Sequence, residues 1–196
     1  MARNGEPQRI LTSVTMKLHA HSLLRTTVRH AIANVTVFAK ETPSGLVLAG
    51  ISFGLKETLG GDRAAESANG DLIRWAGLVE SFLSGTGQSL LSLPLDLRGC
   101  TPFTKAVLRA CRTIPRGATV SYSRLAEMAG YPRAVRAAAS VMRNNSFPLA
   151  VPCHRVIAKN GGLGGFMGAL RGSPLALKQA LLALERGVRS RTKTGS

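Results

Sequence analysis

Acidic residues are scarce in this chain, with ten Asp and Glu against 26 Lys and Arg over 196 residues, a formal charge of +16. The excess is spread along the sequence rather than gathered in one tail, so it belongs to folded surfaces. Such a charge suits either a merely very soluble surface or a polyanion partner, with nucleic acid well ahead. No apolar run reaches the roughly 18 residues of a membrane span, which sets the expectation of a soluble chain with no membrane partner. Cysteine is rare too. Cys100, Cys111 and Cys153 are an odd number with no CxxC pair, which argues against a disulfide framework and for a reducing compartment. His19, His21, His30 and His154 do not fall at zinc-ligand spacing with them, so no metal is expected. The first thirty residues lack acids apart from Glu6 and carry Arg3, Arg9, Lys17, Arg25 and Arg29. That is a faint transit-peptide composition without the apolar core of a secretory signal.

Two β-rich runs in "NVTVFAKETPSGLVLAGISFG" flank Thr42-Pro43-Ser44-Gly45 and predict a hairpin. The segment from Gly54 to Gly70, rich in Gly, Ala and charge, reads as a loop. "NGDLIRWAGLVESFLSG" then predicts a helix, with Asp71 as cap, Leu72, Trp75, Leu78, Val79 and Phe82 at helical spacing, and Gly85 as stop. The expected class is α+β: a small sheet-plus-helix domain over 1–92 and a mainly helical domain over 93–196.

In the second half, Thr101 caps and Pro102 opens a helix whose stripe is Phe103, Val107, Leu108 and Cys111, ended by Pro115. Cys111 is therefore a core residue, and Cys100 beside a turn is read as structural. A short helix around Leu125 to Met128 stops at Gly130, and a second is expected from Pro132 to about Arg143. Short helix, tight turn and longer helix make a helix-turn-helix pattern. The longer helix carries Arg133, Arg136 and Arg143 among Ala134, Ala137, Ala138, Ala139 and Ser140. So little bulk permits close approach to a nucleic-acid groove or to another helix, and the two readings weigh equally on this helix alone. "AKNGGLGGFMGALRGSP" holds six glycines, but no lysine follows at P-loop spacing. The last helix starts at Ser173 and Pro174, turns Leu177, Leu181 and Leu184 inward and stops at Gly187, before the basic tail "RSRTKTGS". Glu185 falls at its C-terminal end, where the dipole disfavours a carboxylate, so a cationic or hydrogen-bonding partner is expected.

"NNSFPLAVPCHRVIAKNGG" ends an apolar run, read as a buried strand, on Cys153. A thiol there is either a core residue or a nucleophile; its thiolate needs a nearby imidazole or cation, and His154 and Arg155 follow directly. In an extended strand, neighbouring side chains point to opposite faces. His154 can then serve Cys153 only if the strand ends in a turn or a water carries the proton.

"LDLRGCTPFTKAVLRACRTIPRGATVSYSRLAEMAG", "RAVRAAASVMRNN", "PCHRVI" and "LALKQALLALE" together resemble the O6-alkylguanine-DNA alkyltransferase family, the methylated-DNA–protein-cysteine methyltransferases. The likeness covers the C-terminal half in family order; the N-terminal half matches in texture only. It implies DNA repair by a suicide enzyme that moves an alkyl group, methyl first, from O6 of guanine to Cys153 irreversibly, each molecule acting once. O4 of thymine is a second substrate it allows. By the resemblance, His154 is the water-linked base and Glu185 the carboxylate that orients it. Asn145 is the hinge asparagine and Tyr122 the tyrosine that rotates the nucleotide. Arg136 is the finger that fills the vacated stack, on a helix whose Arg133, Ala137 and Arg143 also face DNA in the minor groove. Met142, Val156, Gly164, Phe166 and Met167 would line the alkyl pocket.

No cofactor is implied. The partner is double-stranded DNA carrying O6-alkylguanine, bound by a monomer, with cooperativity along DNA left open. The compartment is a bacterial or archaeal cytoplasm, or a nucleus in a eukaryote. "FMGALRGSP" is longer than the family's usual connection, which bears on pocket shape.

Overall fold

The computed structural model describes residues 23–54, 69–87 and 89–191, with only the backbone of 188–191. The sequence-based readings of the Arg-containing start, of most of the loop after Gly54 and of the last five residues lie outside the described residues.

Three antiparallel strands come first among the described residues: β1 (Leu23–Val28), β2 (Asn34–Thr42) and β3 (Gly45–Gly54), in the order β1-β2-β3. The hairpin falls where the sequence places it. Gly45 takes a φ of +110, a region that side chains avoid, and the Thr42 hydroxyl donates to its carbonyl at 2.6 Å. Strand β1 is an addition to the sequence reading. One sheet face carries Val35, Val37, Ala39 and Leu48, all inaccessible to solvent. Helix α1 (Gly70–Leu83) covers this sheet with Leu72, Trp75, Val79, Phe82 and Leu83. Its cap is Asn69, not Asp71: the Asn69 side chain accepts from the Asp71 and Leu72 amides. Asp71 sits in the first turn, where it meets the helix dipole favourably.

The connecting segment runs beside β3, with the Leu48 amide donating to the Pro94 carbonyl (2.7 Å) and the Asp96 amide to the Leu48 carbonyl (2.8 Å). Helix α2 (Pro102–Arg112) follows, capped by Thr101 as expected, with Val107, Leu108 and Cys111 buried. Helix α3 is Tyr122–Met128, capped by Ser121. Helix α4 is Val135–Arg143, so the second helix opens after Pro132, and Arg133 and Ala134 precede it. A single 3-10 turn covers Cys153–Arg155. Two short strands, β4 (Val120–Ser121) and β5 (Val156–Ile157), pair in parallel. Helix α5 (Ser173–Arg191) is the last described element and continues past Gly187, which does not stop it.

One contiguous core joins the two halves, from Val28 on the sheet edge to Leu181 on α5. Strand β3 also touches the second half directly, the Ile51 amide donating to the Ser146 carbonyl at 2.9 Å. No helix among the described residues is long and apolar enough to cross a membrane. Trp75, 2% exposed, fixes α1 to the sheet. Trp75→Ala is expected to cost about 3–5 kcal/mol in urea unfolding through the cavity it leaves.

Candidate active site

The segment before Cys153 is not a strand. Leu149 holds a φ of +70 while buried, a left-handed turn that costs roughly 1–2 kcal/mol and interrupts any extended run. Asn145 organises the turn. Its side-chain amide donates to the Val151 carbonyl (2.9 Å), and its carbonyl oxygen accepts from the Phe147 amide (3.0 Å). Asn145 thereby ties the end of α4 to the residues that present Cys153. The Cys153 amide donates to Val151 and the Arg155 amide to Pro152, which closes the 3-10 turn. Cys153 and His154 thus sit on a turn rather than on opposite faces of a pleat, the first of the two arrangements the sequence left open.

The Cys153 thiol is 5% exposed. Burial pushes its pKa up; a hydrogen bond from Asn145, the charge of Lys178 and the turn's backbone amides pull against that without reversing it. The resting group is a thiol, so a base must take its proton. Cys111 is raised further by burial and is an inert core residue, as its stripe position predicted.

His154 is 1% exposed, and its Nε2 lies 2.9 Å from Glu185 Oε1. Burial lowers its pKa against the opposing pull of Glu185, so the ring is neutral. Phe82 of α1 packs edge-on against it, ring centroids 6.1 Å apart. Its Nδ1 is buried and makes no hydrogen bond among the described residues. An ionised Glu185 accepts the Nε2–H, which leaves Nδ1 with its lone pair free to accept a proton.

Glu185 is fully buried. It accepts from His154, from the fork of Arg155 Nε and Nη2 (2.7 Å at the shortest) and from the Gly117 amide (3.0 Å). Burial alone would raise its pKa; the bonds from His154 and Arg155 overcome that and carry it from the ordinary 4.5 down to about 2. The partner expected for this acid is therefore real, but the helix-end reason is not, since α5 runs past it. Arg155 does not act on the thiol: its guanidinium is spent on Glu185 and on the Ile114 carbonyl (2.6 Å).

Lys178 was invisible to sequence reasoning. It lies between Leu177 and Leu181 on α5 and is inaccessible to solvent. Its ammonium donates to the carbonyls of Val156 (2.6 Å), Leu163 (2.5 Å) and Gly165 (3.1 Å). Burial lowers its pKa to about 8, against the attraction of Cys153. The ammonium clasps the glycine loop onto the strand that follows Cys153. A lysine next to Leu177 and three residues before Leu181 is the only local signal, and it reads equally well as a solvated rim.

Beside this centre lies a cavity of about 420 Å³ between α4 and the glycine loop, lined by Tyr122, Arg136, Arg143, Phe166 and Leu170 among others. Tyr122, placed by the β4–β5 pairing, donates to the Gly165 carbonyl at 3.3 Å. A side chain on Gly164 would meet the Tyr122 ring at 3.1 Å. Arg136, Ala137, Ser140 and Arg143 form one exposed face of α4, with Ala138 and Met142 buried behind; exposed Arg133 precedes the helix. Of the expected pocket residues, Phe166 lines the cavity. Met142 and Val156 are core residues and do not border it, and Met167 is 39% exposed on the loop. No three His, Cys, Asp or Glu cluster as metal ligands among the described residues.

Because the Glu185 pKa is depressed in the folded state, its contribution is present above about pH 4.5 and is lost as the pH falls towards about 2. Chemical denaturation across that range should show stability falling with acid in the wild type. Glu185→Gln should be less stable at neutral pH, with this part of the slope gone.

Residues 102–187 match the family model described as "6-O-methylguanine DNA methyltransferase, DNA binding domain". A methylated-DNA–protein-cysteine methyltransferase of Methanothermobacter thermautotrophicus is 39% identical over 107 residues, covering 55% of this chain. That match spans only 57% of the archaeal protein. The crystal structure of Mycobacterium tuberculosis O6-methylguanine methyltransferase superposes with a TM-score of 0.67 at 30% identity. It covers 85% of this chain and 94% of its own. The same organism's protein in complex with DNA gives 0.64 at 30% identity, covering 84% and 93%. With the thiol, its histidine and the buried carboxylate assembled as above, the chain belongs to the O6-alkylguanine-DNA alkyltransferase family, the methylated-DNA–protein-cysteine methyltransferases.

Proposed function

We propose that this protein repairs DNA by transferring an alkyl group, methyl first, from O6 of guanine to Sγ of Cys153. The reading rests on one observation: a buried thiol followed by a neutral histidine whose free Nδ1 is backed by an ionised, immobilised carboxylate. His154 takes the thiol proton, through a bridging water where the distance requires it, and Glu185 stabilises the imidazolium that forms. The thiolate attacks the alkyl carbon in line; the S–C bond forms and the C–O6 bond breaks. The electron pair leaves on the guanine, which takes up a proton. The product is a thioether with no leaving tendency, so each molecule acts once. O4 of thymine has the same alkyl–oxygen chemistry and is a second substrate of this reading.

A base reaches the thiol only after leaving the stack, at a cost of a few kcal/mol. The exposed face of α4 serves as the DNA-contacting element of a helix-turn-helix, with Ala137 and Ser140 permitting close approach and Arg136 taking the vacated place. Arg133 and Arg143 supply phosphate contacts that are indifferent to sequence. The cavity beside Tyr122 and Phe166, within the size range of small-ligand sites, receives the extruded base. The protein acts as a monomer on double-stranded DNA, with the sheet-bearing unit up to about residue 92 as support for the acceptor unit.

Two other readings predict different outcomes. A damage sensor that transfers nothing would form no adduct, and a Cys-His hydrolase would release product repeatedly. Mixing with an oligonucleotide containing O6-methylguanine should leave one methyl mass on the Cys153 peptide, at one equivalent per protein. Cys153→Ala should abolish the adduct and keep DNA affinity; a folded variant that no longer binds would contradict the division of roles. Arg136→Ala should slow transfer from duplex by roughly tenfold, about 1.4 kcal/mol of the unstacking cost, and leave transfer from the free base unchanged. Equal losses on both substrates would remove the finger role.

A further inference from the structure

The reaction makes no use of Arg116, a partly buried cation. Arg116 lies between α2 and β4, and its Nε and Nη2 are shut off from solvent with no hydrogen-bond partner among the described residues. Its guanidinium carbon stands 5.0 Å from the centre of the Phe82 ring. These groups border a recess of about 70 Å³ that also involves Gly87, Ser89, Leu149 and Arg155. The recess is a seam. Phe82, Gly87 and Ser89 come from α1 and the segment after it, whereas Arg116, Leu149 and Arg155 belong to the half that carries Cys153.

Charge at this seam is unbalanced. Arg155 and Arg116 are cationic, His154 is neutral, and among the described residues Glu185 is the one carboxylate facing them, already occupied by the Arg155 fork. Burial lowers the Arg116 pKa; attraction to Glu185 opposes this and repulsion from Arg155 adds to it. An arginine does not lose its proton at such a site, so its two unbonded nitrogens need an acceptor for their N–H groups, and a negatively charged one for preference. Buried donors without partners mark the place of a bound ion or water.

We propose that this recess binds a small monovalent anion of the halide class, held by Arg116 Nε–H and Nη2–H and fastening the two halves of the chain together. The size sets the class. A water needs roughly 10–15 Å³ of such space, so about 70 Å³ holds an anion with one or two waters and leaves no room for a hydrated dianion against Leu90 and Leu91. Water alone supplies the hydrogen bonds but not the missing charge. The site lies outside the thiol chemistry and does not depend on it.

Thermal unfolding at constant ionic strength, with sodium chloride replacing sodium gluconate, tests the site. Gluconate is too large to enter, and sulfate is avoided because it stabilises proteins without a site. Chloride should raise the Tm saturably, by roughly 3 °C at ten times its dissociation constant. Arg116→Met keeps an aliphatic stem over Phe82 and should lose the chloride response. The wild type alone gives a second readout: a bromide-soaked crystal should show an anomalous peak beside Arg116 Nε. Identical Tm values in chloride and gluconate, or a crystal with water but no bromide in the recess, would overturn the proposal, whether or not the variant folds.

Discussion

Everything at this centre depends on one buried carboxylate that never meets water. Glu185 sits on α5, yet its partners come from two other places: the turn at Cys153 gives His154 and Arg155, and the loop before β4 gives the Gly117 amide. A charge so deep is tolerable only when its lone pairs are filled, and breaking such a set is far more costly than never having made it. The arrangement therefore pins α5, the thiol turn and the start of the β4–β5 pair in one geometry. It also fixes the tautomer of His154. Structural and chemical roles coincide in one residue.

A second buried charge mirrors the first. Lys178, two turns before Glu185 on the same helix, holds one backbone carbonyl of β5 and two of the glycine loop. Between them the two charges set where the thiol turn ends and where the cavity wall begins. Tyr122 stands at the junction, its hydroxyl reaching the same Gly165 carbonyl that Lys178 holds. The cavity's far wall is α4, whose exposed face is basic and small. Outside lies a chain with far more cations than anions; inside, nearly every charge near the thiol has a named partner.

Much of this was legible in the sequence, for reasons that differ by element. The Thr42–Gly45 hairpin and the Thr101-Pro102 helix start are local events, written in residues whose backbone preferences decide them. Cys153, His154, Asn145 and Glu185 were legible as a set through family order, and the lone acid on an apolar helix already asked for a partner. The run into Cys153 was misread as a strand because hydrophobicity alone cannot show that Leu149 turns left-handed or that Asn145 clamps the turn. Strand β1 carries no clean alternation, its first five residues all being half-buried. Lys178 and Arg155 were beyond reach because their partners are carbonyls and a carboxylate brought together only by tertiary folding.

The central claim is that burial keeps His154 neutral while Glu185 holds its proton on Nε2, which leaves Nδ1 free to accept the thiol proton. The ring nitrogen shifts of His154 in the ¹⁵N-labelled resting protein measure this directly. At pH 7 and above they should report a neutral ring with the proton on Nε2 and a bare Nδ1. An imidazolium, or a proton on Nδ1, over that range would contradict the account.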